Sequence, residues 1–189
     1  MKPAHAHEEP GQDSPPATRT PQDERKEARD QLSLVLSFFP RVDAKASALL
    51  AINTGMLAVL ASNAPPVLTM SVFSCVLAGV TVAMIGVSFW FLYRVAFPIL
   101  HGGHQSLIYF REIARRTESN FVDEFGAQQE GARIKDLLGQ VWRNSCILTS
   151  KFDSLRWAFI LMALAIVPWV TAVSLFSSQH PGVRTLITR

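Results

Sequence analysis

Charged side chains are scarce in this sequence. Asp, Glu, Lys and Arg make up 17% of its 189 residues, whereas an ordinary globular domain carries about 25%. Cysteine is also rare, and we expect Cys75 and Cys146 to lie on different sides of a lipid headgroup layer, too far apart to pair. This composition excludes a secreted disulfide scaffold.

Sequence motifs for common chemistry are missing as well. The chain has no Walker loop, no G-x-G-x-x-G, no H-E-x-x-H and no cysteine pair at metal-ligand spacing. His101 and His104 lack a third ligand and enclose two glycines, which favours a loop over a metal site. The sequence has no alternating pattern typical of β-strands. It also has no apolar run near the N-terminus that would act as a cleaved signal peptide, so the first span should act as the targeting signal. We expect no enzyme, no bound metal and no cofactor.

Three long blocks carry the apolar residues that make up 49% of the chain. Residues 46–64, 68–92 and 157–176 contain 19, 25 and 20 residues without Asp, Glu, Lys, Arg or His. About 20 apolar residues in a helix cross a hydrocarbon layer roughly 30 Å thick. The sequence therefore predicts an all-α integral membrane protein with transmembrane helices over residues 41–64, 68–92 and 157–176.

The distribution of Lys and Arg predicts the orientation in the membrane. Residues 1–45 hold seven, residues 93–156 hold nine, residues 63–67 hold none and residues 177–189 hold two. Because basic residues near span ends stay in the cytoplasm, we expect a cytoplasmic N-terminus and an outside C-terminus. Aromatic belts agree with this orientation, at the inner interface (Trp90, Tyr93, Trp157) and toward the outer one (Trp169).

The segments outside the spans have different characters. Residues 1–21 are rich in proline and poor in apolar side chains, which predicts a disordered leader. Residues 22–40 predict a cytoplasmic amphipathic helix that Pro40 ends or kinks. Residues 93–156 predict a cytoplasmic helical region, with a helix over 105–116 and a continuous helix from 127 into the third span, and residues 177–189 form a short outer tail.

Polar residues in or beside the first span need a physical reason. Asn53 lies in mid-span, where it predicts either a hydrogen bond between helices or a pore-lining, gating role. Asp43 and Lys45 lie at the cytoplasmic end of the first span, where their charged groups either extend to the lipid–water interface or take part in gating. Small residues recur on two spans and predict close helix packing, within or between chains: Ser47, Ala51 and Gly55, then Gly79, Ala83 and Gly86.

Short motifs carry a resemblance to a known family. They are Arg41-Val-Asp43-Ala-Lys45-Ala-Ser and Asn53 in the first span, Pro98, Tyr109-Phe110-Arg-Glu-Ile113, Phe121-Val-Asp-Glu-Phe125, Trp142-Arg-Asn144 and Lys151-Phe-Asp-Ser-Leu155. Over residues 28–176 the chain resembles the Pycsar membrane effectors. The resemblance implies a bacterial inner-membrane protein that responds to cyclic CMP (cCMP) or cyclic UMP (cUMP) from a partner cyclase by impairing the membrane during phage infection.

A nucleotide site in this chain would have to be helical, because the sequence has neither the length nor the strand pattern for a β-rich binding module. Arg111, Arg115 and Arg116 cluster on one predicted helix and suit a phosphate, as does Lys151, although simple surface charge or attraction to lipid headgroups is the more common explanation of such arginines. We expect the lipid bilayer, a cyclic pyrimidine nucleotide and a second copy of the chain as partners, and no nucleic acid. A non-enzymatic membrane adaptor and a small channel or transporter subunit are the alternative functions.

Overall fold

The computed structural model describes residues 19–66, 70–97 and 103–178, and every regular element in these ranges is an α-helix. The helices are α1 (Pro21–Leu36), α2 (Phe39–Asn63), α3 (Val72–Ala96), α4 (Phe110–Ile113), α5 (Glu118–Ala127) and α6 (Glu130–Ser178). The predicted all-α class is confirmed. The predicted leader, except for residues 19–21, and the predicted tail beyond residue 178 lie outside the described residues, as does His101.

Helix α1 begins at a capping box. The Thr20 hydroxyl accepts a hydrogen bond from the Asp23 backbone N–H, and the Asp23 carboxylate accepts one from the Thr20 N–H. These bonds satisfy two donors that a helix N-terminus otherwise leaves free. Ala28 and Val35 are buried, and α1 packs along α6.

The break predicted at Pro40 is present. Helix α1 ends at Leu36, and α2 begins at Phe39 with Pro40 in its first turn. Proline is tolerated there because the first N–H groups of a helix have no acceptor within it. The amphipathic helix is therefore shorter than residues 22–40, and the last of these residues open α2.

Three helical stretches are long and apolar enough to cross a membrane, as the sequence predicts: Pro21–Asn63, Val72–Ala96 and Glu130–Ser178. In the most apolar part of each stretch, only 22% of the residues are buried inside the chain. Many of the remaining apolar side chains are exposed, and a hydrocarbon layer would cover them without the cost of exposure to water.

Helices α2 and α6 run in the same direction, and α3 runs against them. Lys151 of α6 contacts Asp43 near the start of α2, and Ser177 contacts Asn63 at its end. The last turns of α3 pack against the first turns of α2. Helix α1 and the segment between α3 and the apolar half of α6 therefore lie at the same end of the bundle.

The core of the three-helix bundle is layered. From the start of α2 to its end, the layers are Val42, Ala46, Leu49, Leu92, Val95, Leu155 and Ala158; then Met56, Ile85, Met162 and Ala165; then Leu60, Ala172 and Phe176. Three fully buried alanines of α6, Ala158, Ala165 and Ala172, recur every seven residues. Their small side chains allow the neighbouring helices to approach closely.

The small-residue stripes noted in the sequence do not supply this close packing. Their members on α2 and α3 are exposed, and a Cβ added to Gly55, Gly79 or Gly86 would meet nothing within 4 Å. Packing within one chain through these stripes is thus contradicted. The physical reason is register, because the buried residues Asn53 and Ser88 lie two positions, or about 200° around the helix, from Gly55 and Gly86.

Helix α6 is one continuous helix of 49 residues, as predicted. At 1.5 Å per residue it is about 74 Å long, of which the apolar block accounts for only about 30 Å. Pro168 lies inside the helix without ending it. The predicted helix over 105–116 is much shorter, since only Phe110–Ile113 is helical and the preceding residues form turns.

The four aromatic residues expected at the interfaces divide into two groups. Trp90, Tyr93 and Trp157 are more than half exposed, as an aromatic belt requires. Trp169 instead packs against two core layers and donates a hydrogen bond from Nε1 to the Met56 carbonyl, at 2.8 Å. Its indole N–H therefore finds an acceptor inside the bundle, and its place in an outer belt stays a prediction.

Ala165→Leu should destabilise the bundle. The substitution inserts three carbons between closely packed helices, which typically costs about 1–3 kcal/mol of unfolding free energy. Ala163→Leu is the matched control, because Ala163 is exposed on the same helix two residues away. Unfolding in mixed micelles, followed by circular dichroism, should show a lower midpoint for Ala165→Leu alone; equal midpoints would contradict the layered core.

Candidate functional site

A polar connection joins the three long helices between the first and second core layers. The Asn53 side chain donates from Nδ2 to Ser88 Oγ at 2.8 Å, and the Ser88 hydroxyl donates to the Ala158 carbonyl at 2.9 Å. Asn53, Ser88 and Ala158 are all 0% exposed. One amide and one hydroxyl thus join α2, α3 and α6, and Asn53 makes the hydrogen bond between helices that was one of its two predicted roles.

This connection is incomplete on one side. Asn53 Oδ1 is buried and has no hydrogen-bond partner within residues 19–66, 70–97 and 103–178. A buried unpaired acceptor costs free energy, which makes the closed packing around Asn53 less stable than an apolar core of the same shape. The sequence indicates Asn53 but gives no signal for Ser88, because serine is common in membrane helices and often bonds to its own helix.

An ion pair lies where the apolar part of the bundle begins. Lys151 Nζ is 3.0 Å from Asp43 Oδ1 and 5.7 Å from the centre of the Phe39 ring. The Lys151 side chain is only 11% exposed, whereas that of Asp43 is 55% exposed. The pair ties α6 to the first turns of α2. Lys151, predicted as a phosphate partner, is here the partner of Asp43.

Lys45 does not join this pair, although it lies only two residues from Asp43. It is exposed on another face of α2, beside a groove that α2 forms with α6. The structure therefore separates the three predicted gating residues. Asp43 lies in an ion pair, Asn53 lies in the core, and Lys45 lies on the surface.

Outside the apolar bundle, Ser106 is the centre of a second polar network. Its hydroxyl donates to Asp136 Oδ2 at 2.9 Å and accepts a hydrogen bond from Gln140 Nε2 at 3.0 Å. The backbone N–H of Leu107 also donates to Asp136, and the N–H of Tyr109 donates to the Ser106 hydroxyl. Ser106 and Gln140 are almost fully buried. The loop before α4 is thereby attached to α6.

The turn that leads into this network depends on a glycine. Gly103 has a φ of +80°, and a Cβ at this position would lie 2.7 Å from Cδ1 of Tyr109. Gln105 also has a positive φ of 63°. Such backbone conformations are costly for most residues, so the contacts of the loop with its neighbours must hold the backbone in place.

Two of the predicted phosphate-binding arginines are paired with carboxylates of the same chain. Arg115 Nη1 lies 2.6 Å from Glu112 Oε1, and Arg116 Nε lies 2.8 Å from Glu124 Oε2. Arg116 also donates to three backbone carbonyls, those of Gln105, Ser106 and Glu112. Arg111 has an interaction partner as well. The structure thus gives Arg116 a structural role that its sequence position did not suggest.

Comparison with known families agrees with this architecture. The family described as Pycsar effector protein domain matches residues 27–178, which include all three membrane-length helices and both polar networks. The chain belongs to the Pycsar effector family. Comparisons with curated proteins and with solved structures gave no match.

Family membership supports the assignment of the chain as a Pycsar-type antiphage effector. The apolar helices agree with a location in a membrane. In this effector the polar residues fall into three sets along α6: the Ser106 network outside the bundle, the ion pair at its edge, and the Asn53 connection in its core. Each set joins α6 to another part of the chain.

Asn53 and Ser88 of the effector should be energetically coupled. In a double-mutant cycle with Asn53→Ala and Ser88→Ala, we expect a coupling energy of about 0.6–1.7 kcal/mol, between the average and the largest value measured for hydrogen bonds between membrane helices. Thr54→Ala combined with Ser88→Ala is the control, because the Thr54 hydroxyl donates to the Leu50 carbonyl of its own helix. Additive effects in both cycles would contradict the connection.

Glu112 should make the loop before α4 sensitive to acid. The hydrogen bond from the Gln105 N–H, with help from nearby Arg115, lowers the pKa of the Glu112 carboxyl below its usual 4.5. The ionised Glu112 carboxylate should stabilise the loop fully above about pH 4.5, and this stabilisation should be lost as the pH falls through the lower pKa of the folded state. The ¹⁵N chemical shift of the Gln105 amide should follow this titration.

The Glu112→Gln variant should abolish that titration, whereas Glu118→Gln, in the neighbouring helix α5, should leave it unchanged. A Gln105 signal that titrates in the same way without the Glu112 carboxylate would assign the effect to another group.

Proposed function

We propose that this effector responds to cCMP or cUMP, made by a partner cyclase, by impairing the inner membrane of an infected bacterium. Two observations support the proposal: the match to the Pycsar effector domain and the presence of three membrane-length helices. The excess of Lys and Arg in residues 1–45 and 93–156 favours a cytoplasmic N-terminus, a cytoplasmic location for the segment between α3 and the apolar part of α6, and a C-terminus outside.

The observation that carries the proposed mechanism is the continuity of α6. This helix contacts the Ser106 loop through Asp136 and Gln140, contacts Asp43 through Lys151, and accepts the Ser88 hydrogen bond at Ala158. A ligand that favours a different position of the outer half of α6 would therefore alter contacts inside the bundle. A shift of this kind requires only that the ligand binds the two states with different affinity.

The nucleotide would bind to the segment outside the bundle, where the arginines predicted as phosphate partners lie. Arg115 is the more accessible of the two paired arginines, with 59% of its side chain exposed compared with 15% for Arg116. A phosphate at Arg116 would have to replace Glu124 and three carbonyl acceptors. Exchange of a carboxylate for a phosphate is chemically reasonable, since both accept forked hydrogen bonds from a guanidinium.

Membrane impairment would follow from opening of the polar connection in the core. Asn53 and Ser88 join all three helices within the apolar bundle, and the free acceptor Asn53 Oδ1 would gain a partner when water enters. Asp43 and Lys45 would then lie at the mouth of the opened path. The outward-facing stripes of small residues on α2 and α3 leave room for a second copy of the chain, which supports a homo-oligomer.

Full-length effector in liposomes should release a trapped dye when cCMP or cUMP is added, and not when cyclic AMP or cyclic GMP is added. Lys151→Met should reduce the nucleotide-dependent rate roughly fivefold or more, because coupling between sites is typically worth that much. Labelled nucleotide should still bind this variant, since the ion pair lies at the edge of the bundle and away from the arginines.

Two control variants sharpen the experiment. Lys135→Met removes a lysine of α6 that is exposed and should leave release unchanged. The exchange Asp43→Lys with Lys151→Asp should recover part of the response by restoring opposite charges. Release without nucleotide would instead favour a channel or transporter subunit, and binding without release in any condition would favour an adaptor.

A further inference from the structure

Three grooves lie between pairs of helices at the end of the bundle where the apolar blocks begin. The groove between α2 and α6 has a volume of about 450 Å³, that between α2 and α3 about 500 Å³, and that between α3 and α6 about 580 Å³. They are similar in size but differ in the charged residues at their rims. This difference predicts different occupants.

The α2/α6 groove carries only positive charge. Lys45 and Arg156 lie at its rim, and its apolar wall includes Leu49, Phe152 and Phe159. Phe152 and Phe159 are 39% and 54% exposed, so the groove is open on the outer surface of the bundle. Neither Lys45 nor Arg156 has a hydrogen bond or an ion pair with another part of the chain that the structure describes.

The other two grooves lack this combination. Asp43 is the charged residue of the α2/α3 groove, and it already pairs with Lys151. The α3/α6 groove holds one residue of each sign, Arg94 and Asp153, which reduces its net attraction for an anion. Of the three grooves, only the α2/α6 groove therefore has two cations at its rim that lack a partner in the part of the chain that the structure describes.

Both cations also lie at the level of lipid headgroups. Lys45 directly precedes the apolar block 46–64, and Arg156 directly precedes the block 157–176. Since α2 and α6 run in the same direction, the two blocks begin side by side. Lysine and arginine at such positions keep their stems on apolar surface and place their charge among the headgroups.

We propose that the α2/α6 groove binds one anionic phospholipid, with its phosphate at Lys45 and Arg156 and an acyl chain along Leu49 and Phe159. Guanidinium and ammonium groups supply donors for the phosphate oxygens. The aromatic and aliphatic wall supplies an apolar surface that a soluble anion could not use. Lipid binding at this site is tested without a cyclic nucleotide, so this proposal and the proposed function can fail separately.

Native mass spectrometry of the full-length protein in mixed micelles provides the test. With equal amounts of phosphatidylglycerol and phosphatidylcholine, the protein should retain phosphatidylglycerol preferentially. Lys45→Gln and Arg156→Gln should each reduce that preference roughly fivefold, the effect of one basic residue near an anionic surface. Circular dichroism should confirm that each variant keeps its helical content.

Matched variants separate this site from general electrostatic attraction. Arg94→Gln removes a cation from the α3/α6 groove and should leave the preference unchanged, while Lys45→Arg should preserve it. Equal loss in Arg94→Gln, equal retention of the two lipids by the native protein, or displacement of the lipid by inorganic phosphate would each overturn the proposal. So would protection of the groove by a second copy of the chain in cross-linking experiments.

Discussion

Hydrocarbon offers no hydrogen-bond partners, and this constraint governs how the three long helices fit together. Each polar side chain at depth must bond to its own backbone, as Thr54 and Thr81 do, or reach another helix, as Asn53 and Ser88 do. The hydrogen bonds of Asn53 and Ser88 to other helices fix the rotation of α2 and α3 relative to α6. The alanines of α6 then allow the close approach that these short bonds require.

The sequence predicts the framework because its signals are long and local. Three uncharged blocks, a proline between α1 and α2, and an uninterrupted helical pattern before the third span are sufficient for the three membrane-length helices and for the continuity of α6. The rotation of each helix about its own axis, in contrast, depends on contacts between residues that are far apart in the sequence. Asn53 stands out in the sequence as an amide in an apolar run, but Ser88 is indistinguishable from other serines until the helices are packed.

Dependence on distant residues also explains why the sequence did not reveal the partners of Arg116. A basic cluster in a sequence shows charge but not the acids and carbonyls that face it in the fold. Glu124 lies eight residues from Arg116, and the carbonyls of Gln105 and Ser106 reach it only because a turn with positive φ brings them back. The Ser106 network with Asp136 and Gln140 likewise joins residues about 30 positions apart, which no short motif could indicate.

The unbroken course of α6 has a mechanical consequence. A stiff helix that contacts the Ser106 loop in its outer half and α2 and α3 in its inner half carries a tilt of either half into the other. Ser177 lies 26 residues, or about 39 Å, beyond Lys151 along α6, so a tilt of roughly 4° about the ion pair displaces Ser177 by about 2.7 Å, enough to separate it from Asn63. Small forces applied outside the lipid can thus be expressed as broken contacts within it.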